Sequence, residues 1–397
     1  ATSPSSGEKF IDHGAGRNAR SSSCAALSPI SQGRPVVPET AGPGFASFID
    51  PTARVEASER VMIGCRSFVG PFVSLDGTQG PIVIGDGSNL QDNVVIAGKL
   101  VVIGDHTTIA HGATIVGPAT IGATGGEPAF VGFNSYIDGA TVDPGAMVTH
   151  LARVAPGVVI HKGHKVLPGK FVRTQAEADS FALGKVAPMN EADMKFMEGV
   201  LHVNGEFADG YAEMAHATPS GITGIGRDPG HTDFNPESDS PALAGSGGLR
   251  PNFRNRIIGR VSINSSETEV DAKLGKHISI RADEGEPFVF GRIGQIQDRV
   301  TFHALEHSNI SVGDDVALGY HVVVHGGADD GNLPKATTKI DSGAVLKDWS
   351  VVFRSTLGKG SVIGTRAYID GSQIAPGAVV PDRAIIIKNK QVGTVEW

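Results

Sequence analysis

Cysteine is nearly missing from this chain, with Cys24 and Cys65 the only two in 397 residues. That excludes a disulfide-dense scaffold, and a single bridge between the two would not fix a compartment. Aromatic residues make up only 6%, unusual for an ordinary globular core. Formal net charge is −8, and no Lys/Arg-rich run concentrates the cations, so neither nucleic acid nor an anionic membrane is an expected partner. No apolar run approaches the roughly 18 residues of a spanning helix, so no membrane span is expected. The chain begins at Ala1, as removal of an initiator Met or cleavage of an export signal would leave it. Cytoplasmic and exported (periplasmic or extracellular) locations both stay open.

Glycine and proline are abundant, 53 and 23 residues. Between them, aliphatic or aromatic residues recur every six positions. In the second half the register runs Leu274, Ile280; Phe290, Ile296, Phe302; Val312, Leu318, Val324; Ile340, Leu346, Val352; Leu357, Ile363, Ile369; Ile374, Val380, Ile386. The first half repeats it at Ile63, Val69, Leu75; Ile84, Leu90, Ile96; Ile103, Ile109, Ile115, Ile121; Val131, Ile137; Val148, Val154, Ile160. A fixed period is the signature of a repeat architecture. One buried residue in six suits a parallel β-helix with three short strands per turn, whose stacked turns share one core. Phe302 and Val324 each close a triplet, so they should stack in adjacent turns. His303 and His325 then share an outer edge about 5 Å apart, the inter-strand spacing, and form half of a metal site.

The expected organisation is an extended arm over 1–47, a first β-helix over 48–173, a helical segment over 174–217, a Gly/Pro/Ser-rich linker over 218–256 and a second β-helix over 257–397. Thr174 reads as an N-cap, and a second helix starts after Pro188. Met194 and Met197 read as packing residues, and Trp397 as packing on a neighbour.

The stretches Arg281-Ala282-Asp283-Glu284-Gly285, Gln297-Asp298 followed by Phe302-His303-Ala304-Leu305-Glu306, and Gly319-Tyr320-His321-Val322-Val323-Val324-His325-Gly326 are more specific than the six-residue period. On them the second half resembles the gamma-class carbonic anhydrases, trimeric left-handed β-helix zinc enzymes. It is also similar to the anhydrase-like domain of the carboxysome scaffold protein. The fold implied is all-β: two left-handed parallel β-helices with intervening α-helices. The resemblance makes His303 and His325 two zinc ligands from one subunit. A neighbour would donate the third from the position that here holds Tyr320. It further implies that Gln297 orients the bound water, Glu284 lies near substrate, Glu306 carries protons to solvent, and Arg281 and Asp283 form an intersubunit salt bridge. His321 should point elsewhere and be solvated.

Aligned on the same phase, the first half has Ala97 and Val116 where the second has His303 and His325, and His111 where it has Tyr320. Gln91-Asp92 matches Gln297-Asp298. Asp76 and Thr78 match Arg281 and Asp283, so the bridge should form only in part. The losses are complementary. The expectation is one composite site of His111, His303 and His325 holding Zn²⁺, with Fe²⁺ or Co²⁺ not distinguished by three imidazoles. The implied activity is reversible hydration of carbon dioxide to bicarbonate. A catalytically inactive assembly module is the alternative. A hexapeptide acyltransferase would need a catalytic His in another setting, for which no motif is seen. The expected assembly is a homo-oligomer, a trimeric or pseudo-trimeric ring. Side-by-side and end-to-end packing of the halves both stay open.

Overall fold

The computed structural model describes residues 47–217, 224–225, 250–251, 254–283, 287–305, 308–327 and 337–397. The arm expected over 1–47 and the linker expected over 218–256 lie almost wholly outside the described residues. Cys65 is disulfide-bonded, whereas Cys24 lies outside them.

Each of these hexad positions from Ile63 to Ile160 in the first half, and from Leu274 to Ile369 in the second, is at most 5% exposed. The six-residue period has a plain physical cause. Each short strand points one residue inward, and a corner separates it from the next strand. The chain therefore winds as a three-sided coil whose inward residues stack into one continuous column. In the second body one face runs in parallel from Asn255–Gly259 through Ile278–Ala282, Thr301–Ala304, Val323–Gly326, Val351–Phe353 and Tyr368–Asp370 to Ala384–Ile387. A second face starts at Val261–Ile263 and a third at Ala317–Leu318. The first body follows the same plan, and a separate apolar column fills each. These are the two parallel β-helices expected of the left-handed hexapeptide class.

Among the described residues three α-helices interrupt the coils. Helix α1 (Gln175–Asp179) starts at Thr174, whose side chain and that of Glu177 form a reciprocal capping box. Helix α2 (Glu191–Ala217) lies across the first body. Its Phe207 and Tyr211 pack on Phe48 and Phe68, and Met197 is buried. Helix α3 (Glu267–Lys273) buries Val270 under the second coil. Among the described residues no helix is long and apolar enough to cross a membrane.

The two β-helices lie side by side. Asn93 Nδ2 donates to Thr301 Oγ1 at 3.1 Å, Asn134 Nδ2 to His321 O at 2.9 Å, and Arg256 Nη2 to Asp50 Oδ2 at 2.9 Å. Trp397 does not need a separate neighbour: its indole N–H donates to Leu151 O at 2.6 Å, tying the end of the second coil to the first. His321, expected to be solvated, is 3% exposed. It occupies a corner with φ 61° rather than a strand, so strand alternation does not govern its direction. Its ring stacks on Trp349 at 4.0 Å, and its Nδ1 meets Asn134 Oδ1 at 3.0 Å. That approach needs a glycine opposite, since a Cβ on Gly112 would lie 2.9 Å from the His321 ring and 2.0 Å from Asn134 Oδ1.

His150 is a buried histidine beside this seam whose Nδ1 accepts the Phe133 backbone N–H at 3.0 Å. Burial, then the Arg354 and His111 charges, depress it to about 3. A native pKa below the unfolded value means the unfolded chain takes up the proton first. The contribution to stability is therefore intact above about pH 6.5 and is lost as pH falls toward 3. His150→Asn, which removes the titration, should flatten the acid side of the unfolding free energy by up to ~1.4 kcal/mol per pH unit between pH 5.5 and 4. Chemical denaturation across that range checks it, and an unchanged slope overturns the assignment.

Candidate metal centre

His303 sits on the strand Thr301–Ala304 and His325 on Val323–Gly326, directly paired in register. Both point outward, because Phe302 and Val324 fill the inward positions. His111 follows the first-body strand Thr107–Ile109 at a corner. The side-by-side packing sets that corner against the His303–His325 edge. One ligand nitrogen from each ring falls within 4.8 Å of the others. Ring centroids are 5.0, 5.2 and 5.2 Å apart, a nearly equilateral triangle. All three rings are buried.

The outer nitrogens show which way the lone pairs face. His325 Nδ1 is 2.8 Å from Gly326 O, so it carries the proton and leaves Nε2 free. His303 Nε2 is 3.2 Å from Asp283 Oδ1, and its Nδ1 turns toward His325 Nε2 at 3.3 Å. His111 Nδ1 lies 2.9 Å from Asp92 Oδ2, and its Nε2 is buried with no hydrogen-bond partner. Each imidazole is thus oriented by an acceptor on one nitrogen, the second-shell arrangement of histidine metal sites. Burial lowers all three pKa values. His303 goes to about 4, helped by Arg281, and His325 goes well below its usual value, helped by His111 and His303. His111 is lowered despite the opposing pull of Asp92. Three neutral imidazoles with converging lone pairs fit a divalent cation.

Behind the rings runs a buried charge chain that crosses between the bodies. Arg281 Nε and Nη2 donate to the two oxygens of Asp92, each at 2.9 Å, and Nη1 donates to Asp283 Oδ2 at 2.6 Å. Ser279 Oγ donates to Asp92 at 2.5 Å, and Tyr211 Oη from α2 donates to Asp283. Burial is the largest influence and works to raise both carboxyls, but Arg281 and the hydrogen-bonding neighbours together outweigh it. With the facing histidines Arg281 holds Asp92 well below the usual range and Asp283 at about 2. Two carboxylates against one guanidinium leave a single negative charge facing the three imidazoles, which suits a cation there.

A cavity opens onto His303 and His325. Its walls are apolar (Phe130, Phe133, Phe196, Val200, Leu305) apart from Gln91 and Asn204. Gln91 Oε1 and Asn204 Oδ1 are buried without hydrogen-bond partners.

Comparison with known proteins agrees with this geometry. A carbonic anhydrase of Methanosarcina thermophila is 31% identical over 206 residues, covering 45% of this chain and 80% of that protein. The chain belongs to the gamma-class carbonic anhydrase family. The carboxysome assembly protein CcmM of a Nostoc species is 32% identical over 146 residues, which are 34% of this chain and 23% of CcmM. A hexapeptide transferase family protein of Anaplasma phagocytophilum aligns with TM-score 0.30 and 26% identity, covering 41% of this chain and 88% of that one. No protein-family model matches.

For this anhydrase relative, the structure brings together His111, His303, His325, Arg281 and Asp283. It does not bring Gln297 to the site. That residue is exposed at a corner of the second body, and Gln91 of the first body lines the cavity instead. The cause is direction: a corner serves the neighbouring body, and no neighbour faces the Gln297 corner within this chain. The bridge of Arg281 is likewise not the partial one expected. Its partner across the seam is Asp92, while Asp76 stays on an open face, bound to Thr78. Glu284 and Glu306 lie outside the described residues. Asp92, Gln91, Tyr211 and Asn204 were not read as site residues from sequence. A signal existed for the first two, since Leu90 pairs with Ile109 one turn on. Gln91-Asp92 therefore occupies the same corner as His111, and whatever receives one receives the other.

Replacing Asp92 by Asn leaves Arg281 buried with half its counter-charge. The expected loss is ~3–5 kcal/mol of unfolding free energy in metal-free protein. Asp76→Asn, on the open face, should cost under about 1 kcal/mol. Equal losses in urea titrations would refute the inter-body role of Asp92.

Proposed function

We propose that the chain catalyses reversible hydration of carbon dioxide to bicarbonate at a metal ion held by His111, His303 and His325, with zinc as the expected ion. The carrying observation is the convergence of one nitrogen from each of three buried imidazoles whose other nitrogens face acceptors. A zinc ion in a three-imidazole site with an open fourth position lowers the pKa of its water to about 7, a figure that belongs to the general chemistry of such sites. The remaining work falls to residues of this chain. Asp92, Asp283 and the Gly326 carbonyl hold the rings in the ligand tautomer. The Gln91 and Asn204 carbonyl oxygens stand ready to accept hydrogen bonds from a water at the cavity floor. The phenylalanine walls suit a small apolar substrate and limit competing water. The similarity to CcmM favours a second reading, an inactive assembly module that kept the seam.

Metal content separates the two. Protein purified without chelator should carry close to one zinc per chain, and His111→Ala should lose it. Metal retained without His111 would refute the composite site, and no metal in either protein would favour the assembly reading. In a stopped-flow carbon dioxide hydration assay, Gln91→Ala should lower kcat/KM by about tenfold or more, whereas Gln297→Ala should leave it near the parent value. The reverse order would return the water-orienting role to Gln297.

A further inference from the structure

The two bodies meet along stacked columns of side chains, and the columns fix what lies beside the three histidines. On the first body Leu90, Ile109, Val131 and Val148 stack as inward residues of successive turns. Two residues beyond each stands a seam residue: Asp92, His111, Phe133 and His150. On the second body His303, His325 and Phe353 stack in register, each one residue beyond an inward one. Both columns thus pass from histidine ligands to aromatic rings within one turn.

Phe133 is where the columns touch. Its buried ring lies nearly parallel to two of the imidazoles, at 4.8 Å and 26° from His325 and at 5.5 Å and 29° from His111. His150 stacks on it as well, at 4.2 Å and 16°, and Phe353 of the second body meets it edge-on at 5.7 Å. The Phe133 backbone N–H donates to His150 Nδ1 at 3.0 Å. That approach requires Gly132, since a Cβ there would fall 2.8 Å from the same nitrogen. The face of a phenyl ring is electron-rich, and a metal ion makes the imidazole that binds it electron-poor. Attraction across both stacks is therefore greater with metal bound than without. A contact that strengthens on loading raises affinity for the ion, which a contact that only fills space does not.

We propose that Phe133 is a positioning residue of the metal centre, a stacking plate that sets the planes of His111 and His325 and tightens their hold on the ion, and that His150 keeps the plate in place. The proposal rests on the metal reading above. It gives the aromatic walls of the cavity unequal roles. Phe130 lines the same cavity and is equally buried. Its ring contacts among the described residues are with Phe196 at 5.4 Å and His150 at 6.3 Å, and with none of the three ligands.

The test is the zinc affinity of the full chain, stripped of metal and titrated in competition with a chromophoric chelator. Phe133→Leu and Phe130→Leu remove the same apolar bulk from one cavity. Phe133→Leu should weaken zinc binding about tenfold, and Phe130→Leu about twofold at most. His150→Leu leaves the Phe133 N–H without its acceptor and should weaken zinc as Phe133→Leu does. His150→Asn, whose amide oxygen can take that N–H, should bind zinc nearly as the parent does. Equal weakening in Phe133→Leu and Phe130→Leu would overturn the proposal, and so would equal affinities for the two His150 variants. If Phe133→Leu does not fold, the His150 pair decides alone. A parent that binds no zinc removes the metal reading and the proposal together. A parent that binds zinc, with Phe133→Leu its equal, removes the proposal and leaves the metal reading standing.

Discussion

The structure depends on a guanidinium held between two carboxylates where two β-helices meet. Arg281 is 1% exposed, and it reaches Asp92 of one body and Asp283 of its own. A buried ion pair is rarely a large net source of stability, since desolvation cancels most of its attraction. Its effect here is on register. A slip of one turn along the seam would move Arg281 off Asp92 and leave both charges buried without partners, a penalty of several kcal/mol. Apolar contacts such as Phe133 against Phe353 tolerate sliding far better. The ion pair therefore selects one alignment of two coils whose repeated outer surfaces would otherwise permit several.

That alignment builds the three-histidine cluster. Asp92 orients His111 from the first body, and Asp283 orients His303 from the second. Arg281 joins the two carboxylates, so the atoms that fix the seam also orient the histidine rings. Tyr211 adds the interposed helix to the same chain of contacts through Asp283. Folding, docking and ligand geometry thus share one set of charges, and each histidine is placed by a residue whose own position is already determined.

The coil was legible in the sequence because its cause is local. One inward residue in six fixes the inward column, and Phe302 with Val324 then places His303 beside His325. The complementary losses, histidines at 303 and 325 in one half and at 111 in the other, also pointed to the composite site before any geometry. Other features depend on which body faces which, and a hexad pattern carries no information about that. Gln91 and Gln297 occupy equivalent positions, yet one lines the cavity and the other meets solvent. His321 was misread for a related reason: its corner conformation and the glycine opposite are properties of the seam, not of the strand next to it.

Duplication within one chain relaxes a constraint that identical subunits impose. When a ring is built from copies, every interface must carry the same residues, so each keeps a donated and a receiving set together. Here the two sets have separated: the first body keeps the donated corner and the second keeps the receiving face. The other corner and face lie outside the seam, and there half-buried Tyr320, Ala97 and Val116 take the positions that match the three histidines. The asymmetry follows from the connection between the halves, and it concentrates the chemistry of the chain at a single seam.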